Sequence, residues 1–124
     1  YAVASINYRL SWMARWPAQI DDVRAALRWL RVNAAKHGLD PDRIAVAGGS
    51  AGAHLAAVAG TQPPPAGEPV SSRVGAVIDL YGPADLPSMP ANRADRPGEV
   101  RISRAACSGV STGLVIPRLR TVVA

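Results

Sequence analysis

The sequence predicts an α/β fold, a piece of a doubly wound, mostly parallel sheet. Two observations carry this. Residues 1–82 read as strand–helix–strand–helix–strand, and two successive crossovers of that kind imply parallel strands with right-handed connections. At the junction of the second strand and second helix, Gly48-Gly49-Ser50-Ala51-Gly52 fits the pattern G-x-S-x-G. With 124 residues the chain can bury one small core. It is short for a complete open α/β enzyme, which takes about 200 residues or more.

The elements follow in order. Ala2 to Tyr8 is an apolar β-type run in which Val3 and Ile6 break strict alternation, as expected of a strand buried on both faces. Ser11 to Trp16 connects it to a helix. Pro17 suits the first helical position, and Asp21 and Asp22 place negative charge near that end. Ile20, Val23, Leu27, Leu30 and Ala34 recur at steps of three and four, one face of a helix. Arg24, Arg28 and Arg31 lie off that stripe, Lys36 and His37 sit near the C-terminal end, and Gly38 is a natural stop. Asp40-Pro41-Asp42 is a turn. Arg43 to Ala47 reads as the second strand, Ala51 to Ala59 as the second helix, and Val74 to Leu80 as the third strand. Thr61 to Ser72, with three consecutive prolines, is an irregular connector. Tyr81-Gly82-Pro83 ends the third strand.

The strand–turn–helix setting gives the pentapeptide its chemical meaning. Such a turn holds its central residue in a strained conformation, and bulky neighbours would clash with strand or helix. All four neighbours of Ser50 are Gly or Ala: Gly48, Gly49, Ala51 and Gly52. Ser50 is therefore the candidate nucleophile, projecting its hydroxyl above the carboxyl edge of the sheet. The Ala51 N–H, at a helix N-terminus, is the candidate donor to a developing oxyanion. A serine hydroxyl needs a base, and the base needs an orienting acid. The only histidines are His37 and His54, both in the first half of the chain. His54 lies one turn along the helix that follows Ser50, which suits a structural, hydrogen-bonded role. His37 reads as an exposed residue near a helix end. Asp79 and Asp85 flank Tyr81-Gly82-Pro83, and Asp85 is the better-placed candidate acid, with a helix N-cap as its competing role. Trp12 and Trp16 read first as covers of the sheet, and second as walls of an acyl pocket.

Composition and charge narrow the classes. Hydrophobic residues make up 48%, a globular composition. No apolar run spans a bilayer and no basic-then-apolar leader opens the chain, which favours a cytoplasmic protein. Tyr1 opens directly into a strand, so the beginning reads as incomplete. The net charge of +5 is uneven. Residues 1–87 carry eight basic and seven acidic side chains, and residues 88–124 six and two. No aromatic residues interleave with the arginines of the tail, so specific nucleic-acid binding is not expected. Cys107 is the only cysteine, which excludes an internal disulfide and a cysteine-rich zinc site. No His and carboxylate pair has metal-ligand spacing, so no metal is expected.

Several ordered segments carry a resemblance. Ala4 to Ser11, Pro17 to Val23 with Ala26 to Leu30, Gly38 to Ile44 running into Gly48 to Ala56, and Val77 to Asp85 together resemble α/β-hydrolase esterases. The nearest type is the group of hormone-sensitive lipase and the acetyl-xylan and feruloyl esterases. The resemblance covers about residues 2–87. It implies a fragment of an α/β-hydrolase: residues 1–87 as its central part, and 88–124 as an Arg/Ser/Gly/Pro-rich tail. It implies hydrolysis of a small-molecule carboxylic ester through an acyl-enzyme on Ser50, without a cofactor. In that family a His-Gly-Gly-type loop upstream supplies the second oxyanion donor, and the acid and histidine follow later. None of these matches a segment of this chain.

A rival reading is therefore a truncated or frameshifted, non-catalytic chain, or a partner-binding fragment. Arginine exceeds lysine 13 to 1, as an arginine-rich, high-GC gene would give. The tail reads as a frame-shifted product of such a gene in preference to a surface-binding arm. Few strands also leave sheet edges exposed, and self-association through them is expected.

Overall fold

A computed structural model of the chain describes residues 1–86 and, as backbone, the strand at 112–116. The tail arginines and Cys107 lie outside the described residues. The elements are β1 (Ala2–Ile6), α1 (Ala18–Asn33), a 3-10 turn (Ala35–His37), β2 (Ala45–Gly49), α2 (Ala51–Thr61), β3 (Ala76–Leu80) and β4 (Thr112–Ile116).

The sheet order is β1-β4-β2-β3. β2 and β3 pair in parallel, with Gly49 opposite Leu80. β4 runs antiparallel to both β1 and β2, so β1, β2 and β3 share one direction, as the two crossovers require. The chain from β1 through β2 to β3 steps the same way across the sheet. Crossovers of one hand then deliver both helices to one face. The expectation that β1 is buried on both faces fails for this reason. Ala2, Ala4, Ile6 and Tyr8 turn towards the helices, while Val3 is 72% exposed on the bare side.

The stripe Ile20, Val23, Leu27, Leu30 and Ala34 is buried without exception. It packs with Leu39, Ile44, Val46, Leu55, Ala56, Val58 and Ala59 into one core. α1 begins at Ala18, one residue after Pro17. The 3-10 turn after it ends on Gly38 at φ 62, with the Leu39 N–H returning to the Ala34 carbonyl at 2.9 Å. The turn at Asp40 is closed by its own side chain, which accepts the Asp42 N–H at 3.0 Å.

β2 starts two residues later than the apolar run suggested, and it extends through Gly48 and Gly49. Parallel pairing with Asp79 and Leu80 keeps these glycines extended. Gly48 also has a packing reason to be glycine: a Cβ there would drive into the Gly52 carbonyl of α2. Glycine at 60 similarly admits Val77 of β3 against the helix.

Candidate active site

The site forms where β2 ends and α2 begins. Ser50 is the hinge, at φ 51 and ψ −120, a region that side-chain-bearing residues rarely enter. Three hydrogen bonds hold it there. Its N–H donates to the Leu80 carbonyl of β3 at 3.0 Å, and its own carbonyl accepts the N–H groups of Ala53 and His54, each at 3.1 Å. As the first residue of α2, Ala51 carries an N–H that the helix itself cannot satisfy. The geometry is thus a strained serine beside a helix-end N–H that has no hydrogen-bond partner among the described residues.

The neighbouring strand ends in the same manner. Tyr81 sits at φ 52, and it and Ser50 are the non-glycine residues with positive φ among the described residues. The Asp79 carboxylate accepts the Gly82 N–H at 2.8 Å and so closes the turn around Tyr81. Gly82 lies between that carboxylate and Ala53, where a Cβ would stand 2.8 Å from Asp79 Oδ1 and 2.9 Å from the Ala53 Cβ. Asp79 is therefore engaged in shaping the loop. Asp85 lies four residues beyond Tyr81 on the same carboxyl side of the sheet, and it is exposed.

Neither histidine is placed as a general base by an observed contact to Ser50. His37 is exposed beside the amino end of β1, bordering a hollow with Ala2, Val3 and Ala4, and its ring centroid lies 5.8 Å from that of Trp29 with the planes tilted by 39°. His54 is half-buried, and its Nδ1 lies 2.9 Å from the Pro83 carbonyl. A carbonyl only accepts, so Nδ1 carries the proton and ties α2 to the loop after β3. This is the structural histidine that the sequence suggested.

Beside Ala51 and His54 lies a cavity of about 260 Å³. Its walls include Tyr8, Leu10, Trp16, Leu55, Pro83 and Leu86, so it is almost wholly carbon-lined. Trp16 is a wall of this cavity, 6.3 Å from the His54 ring, and it remains 54% exposed. Covering the sheet does not describe it; Trp12, at 66%, is more open still. No group of three or more His, Cys, Asp or Glu side chains among the described residues is arranged to hold a metal. No described helix is long and apolar enough to cross a membrane.

Comparison with known proteins gives the geometry a family. The BD-FAE family profile matches residues 1–108. The esterase LipQ of Mycobacterium tuberculosis is 46% identical over 87 residues, covering 66% of this chain and 21% of LipQ. The probable carboxylic ester hydrolase LipM of the same organism is 42% identical over 87 residues, covering 66% of this chain and 20% of its own length. A solved structure, a truncated form of a carbohydrate esterase from gut microbiota, superposes with a TM-score of 0.56 at 42% identity. That superposition covers 63% of this chain and 33% of the esterase. The chain spans about a fifth of the length of the two mycobacterial relatives. The chain belongs to the BD-FAE family, within the hormone-sensitive-lipase-like esterases of the α/β-hydrolase fold.

Proposed function

We propose that this chain is the nucleophile-bearing centre of a carboxylic-ester hydrolase. The observation that supports it is Ser50, held at φ 51 between a parallel strand and the N-terminus of α2. In the intact enzyme the Ser50 Oγ attacks the ester carbonyl carbon and passes its proton to a histidine base. The carbonyl oxygen becomes an oxyanion and takes the Ala51 N–H as one of its donors. Collapse expels the alcohol, which takes the proton back, and water then cleaves the acyl-enzyme by the same route. Gly48, Gly49 and Gly52 keep the elbow tight. The carbon-lined cavity beside Ala51 gives the apolar part of a small ester a place to sit.

The base is supplied from outside these 124 residues, since His37 lies at the far end of the strands and His54 holds the Pro83 carbonyl. Asp85 is the residue in this chain proposed as orienting acid, from its place on the carboxyl side of β3. Isolated, the chain then has a shaped nucleophile without its relay.

Labelling with a fluorophosphonate tests this. Because no base assists Ser50 in the isolated chain, slow labelling is expected: one adduct, formed only on prolonged exposure to excess probe, mapped to Ser50 by mass spectrometry and lost in Ser50→Ala. A folded chain that takes up no probe after prolonged exposure moves the non-catalytic, partner-binding reading ahead.

A further inference from the structure

We infer that Tyr81 is a positioning residue for the Ser50 elbow, a role that rests on Ser50 being the nucleophile. Ser50 is strained, and a strained residue keeps its conformation only when its surroundings over-determine it. The residue before it, Gly49, is the weak point, because glycine gives the backbone the widest freedom to relax. Tyr81 limits that freedom. A Cβ built on Gly49 would stand 2.9 Å from the Tyr81 Oη, 3.3 Å from Cζ and 3.5 Å from Cε2. The phenol therefore lies against the glycine, on the sheet face opposite α2. The main chain makes the same connection, because the carbonyl that accepts the Ser50 N–H belongs to Leu80, immediately before Tyr81.

Core packing gives no reason for this arrangement. Tyr81 is 83% exposed, so it is not held by burial. Its backbone occupies φ 52, a conformation that costs a side-chain-bearing residue energy that glycine would not spend. The Asp79 carboxylate, through the Gly82 N–H, fixes the turn that makes this conformation possible. An exposed aromatic residue is thus kept in a strained backbone state with its ring against the residue preceding the nucleophile. Two strained residues, on paired strand ends, brace one another.

The role separates from simple stability in one experiment on the whole chain. Tyr81→Gly removes the ring and also relieves the backbone strain. The thermal midpoint is expected to hold within about 2 °C or to rise. Exchange of the Ser50 amide, followed by NMR, is expected to accelerate at least about ten-fold, because the bond to Leu80 opens locally. Tyr81→Phe, which keeps the ring, is expected to restore Ser50 protection to within about two-fold of the original chain. Unchanged Ser50 exchange in Tyr81→Gly overturns the inference. So does a loss of protection spread over the core together with a fallen midpoint, which would make Tyr81 an ordinary stabilising residue. Neither readout needs catalysis. Failure of the fluorophosphonate to label the original chain would therefore count against the proposed function, while the amide exchange still decides the bracing by Tyr81.

Discussion

Arg9 and Asp22 close a two-pronged ion pair at the carboxyl end of β1. Arg9 Nη2 lies 2.7 Å from Oδ1 and Nε lies 2.9 Å from Oδ2, while the Arg9 backbone N–H also donates to Oδ2 at 2.8 Å. The pair locks the exit of β1 onto the start of α1, next to the cavity walls Tyr8 and Leu10. The hydrogen bond from Arg9 holds the Asp22 carboxyl below the usual aspartate range and, with the charge of Asp22, raises the Arg9 guanidinium.

That shift has a definite sign. A carboxyl whose folded pKa is depressed binds fewer protons folded than unfolded, so the stability it adds is complete above the ordinary aspartate value of about 3.9. It is lost as the pH falls through the lower folded value. Asp22→Asn is therefore expected to lower the thermal midpoint at pH 7 by roughly 2–5 °C and to flatten its acid limb below about pH 4. Parallel melting curves from pH 2 to 7 check this (pH span set by the carboxylate range of about 2–4). An acid limb of unchanged steepness in the variant would show that the fork contributes nothing.

The two elbow glycines are predicted to respond differently. A Cβ at Gly48 meets the backbone of α2, which is fixed by its own hydrogen bonds. At Gly49 it meets the end of one exposed tyrosine. Gly48→Ala is expected to cost about 1–3 kcal/mol, and Gly49→Ala less, because at Gly49 the added methyl meets the end of a side chain and at Gly48 it meets hydrogen-bonded backbone. Urea midpoints at constant m-value give the comparison. Equal losses would mean that strand and helix can part at Gly48 without cost.

Much of this was legible in the sequence because it is written in local pattern. The stripe from Ile20 to Ala34 gave the buried face of α1, and Gly38 gave its end. The small residues around Ser50 gave the junction of β2 and α2. What escaped depends on placement of distant segments. The one-sided exposure of β1 follows from the direction in which the crossovers step. The pairing of Thr112–Ile116 between β1 and β2 joins residues more than a hundred positions apart for β1. In the sequence Tyr81 shows only as the end of a strand; its contact with Gly49 arises only when β3 lies beside β2. Arg28 and Arg31 showed only as residues off the apolar stripe, with no local sign of the loop they hold.

That loop carries the third prediction. Arg28 Nη1 reaches Glu68 Oε1 at 2.5 Å, and the buried Ser72 donates its hydroxyl to Glu68 Oε2 at 2.8 Å and its N–H at 3.1 Å. Arg31 donates to the carbonyls of Pro41, Ser71 and Arg73. Burial pushes the Glu68 carboxyl up, but the Ser72 hydroxyl and N–H, with Arg28, outweigh it and hold the carboxyl below its usual range. Glu68→Gln keeps the shape and removes the charge. It is expected to cost about 1–2 kcal/mol and to speed tryptic cleavage after the exposed Arg73. Unaltered cleavage would show that the loop is held by its prolines and by Arg31 alone.

The bare sheet face carries the last prediction. Val3 is 72% exposed and Ile78 and Leu80 about half exposed, and β3 is an edge strand whose outer backbone groups face solvent in the described sheet. Apolar side chains beside an unpaired edge invite pairing with a second chain. The chain is therefore expected to self-associate, with weight-average mass rising with concentration in sedimentation equilibrium. Ile78→Lys puts a charge on that face without entering the core, since Ile78 lies outside the cluster built on Ile20, Leu27 and Val46. It is expected to shift the association at least ten-fold to higher concentration, on the order of a charge set against an apolar contact, while the melting midpoint of the dilute chain stays put. A chain that remains monomeric at every concentration, with a sharp cooperative melt, would show that this face needs no cover.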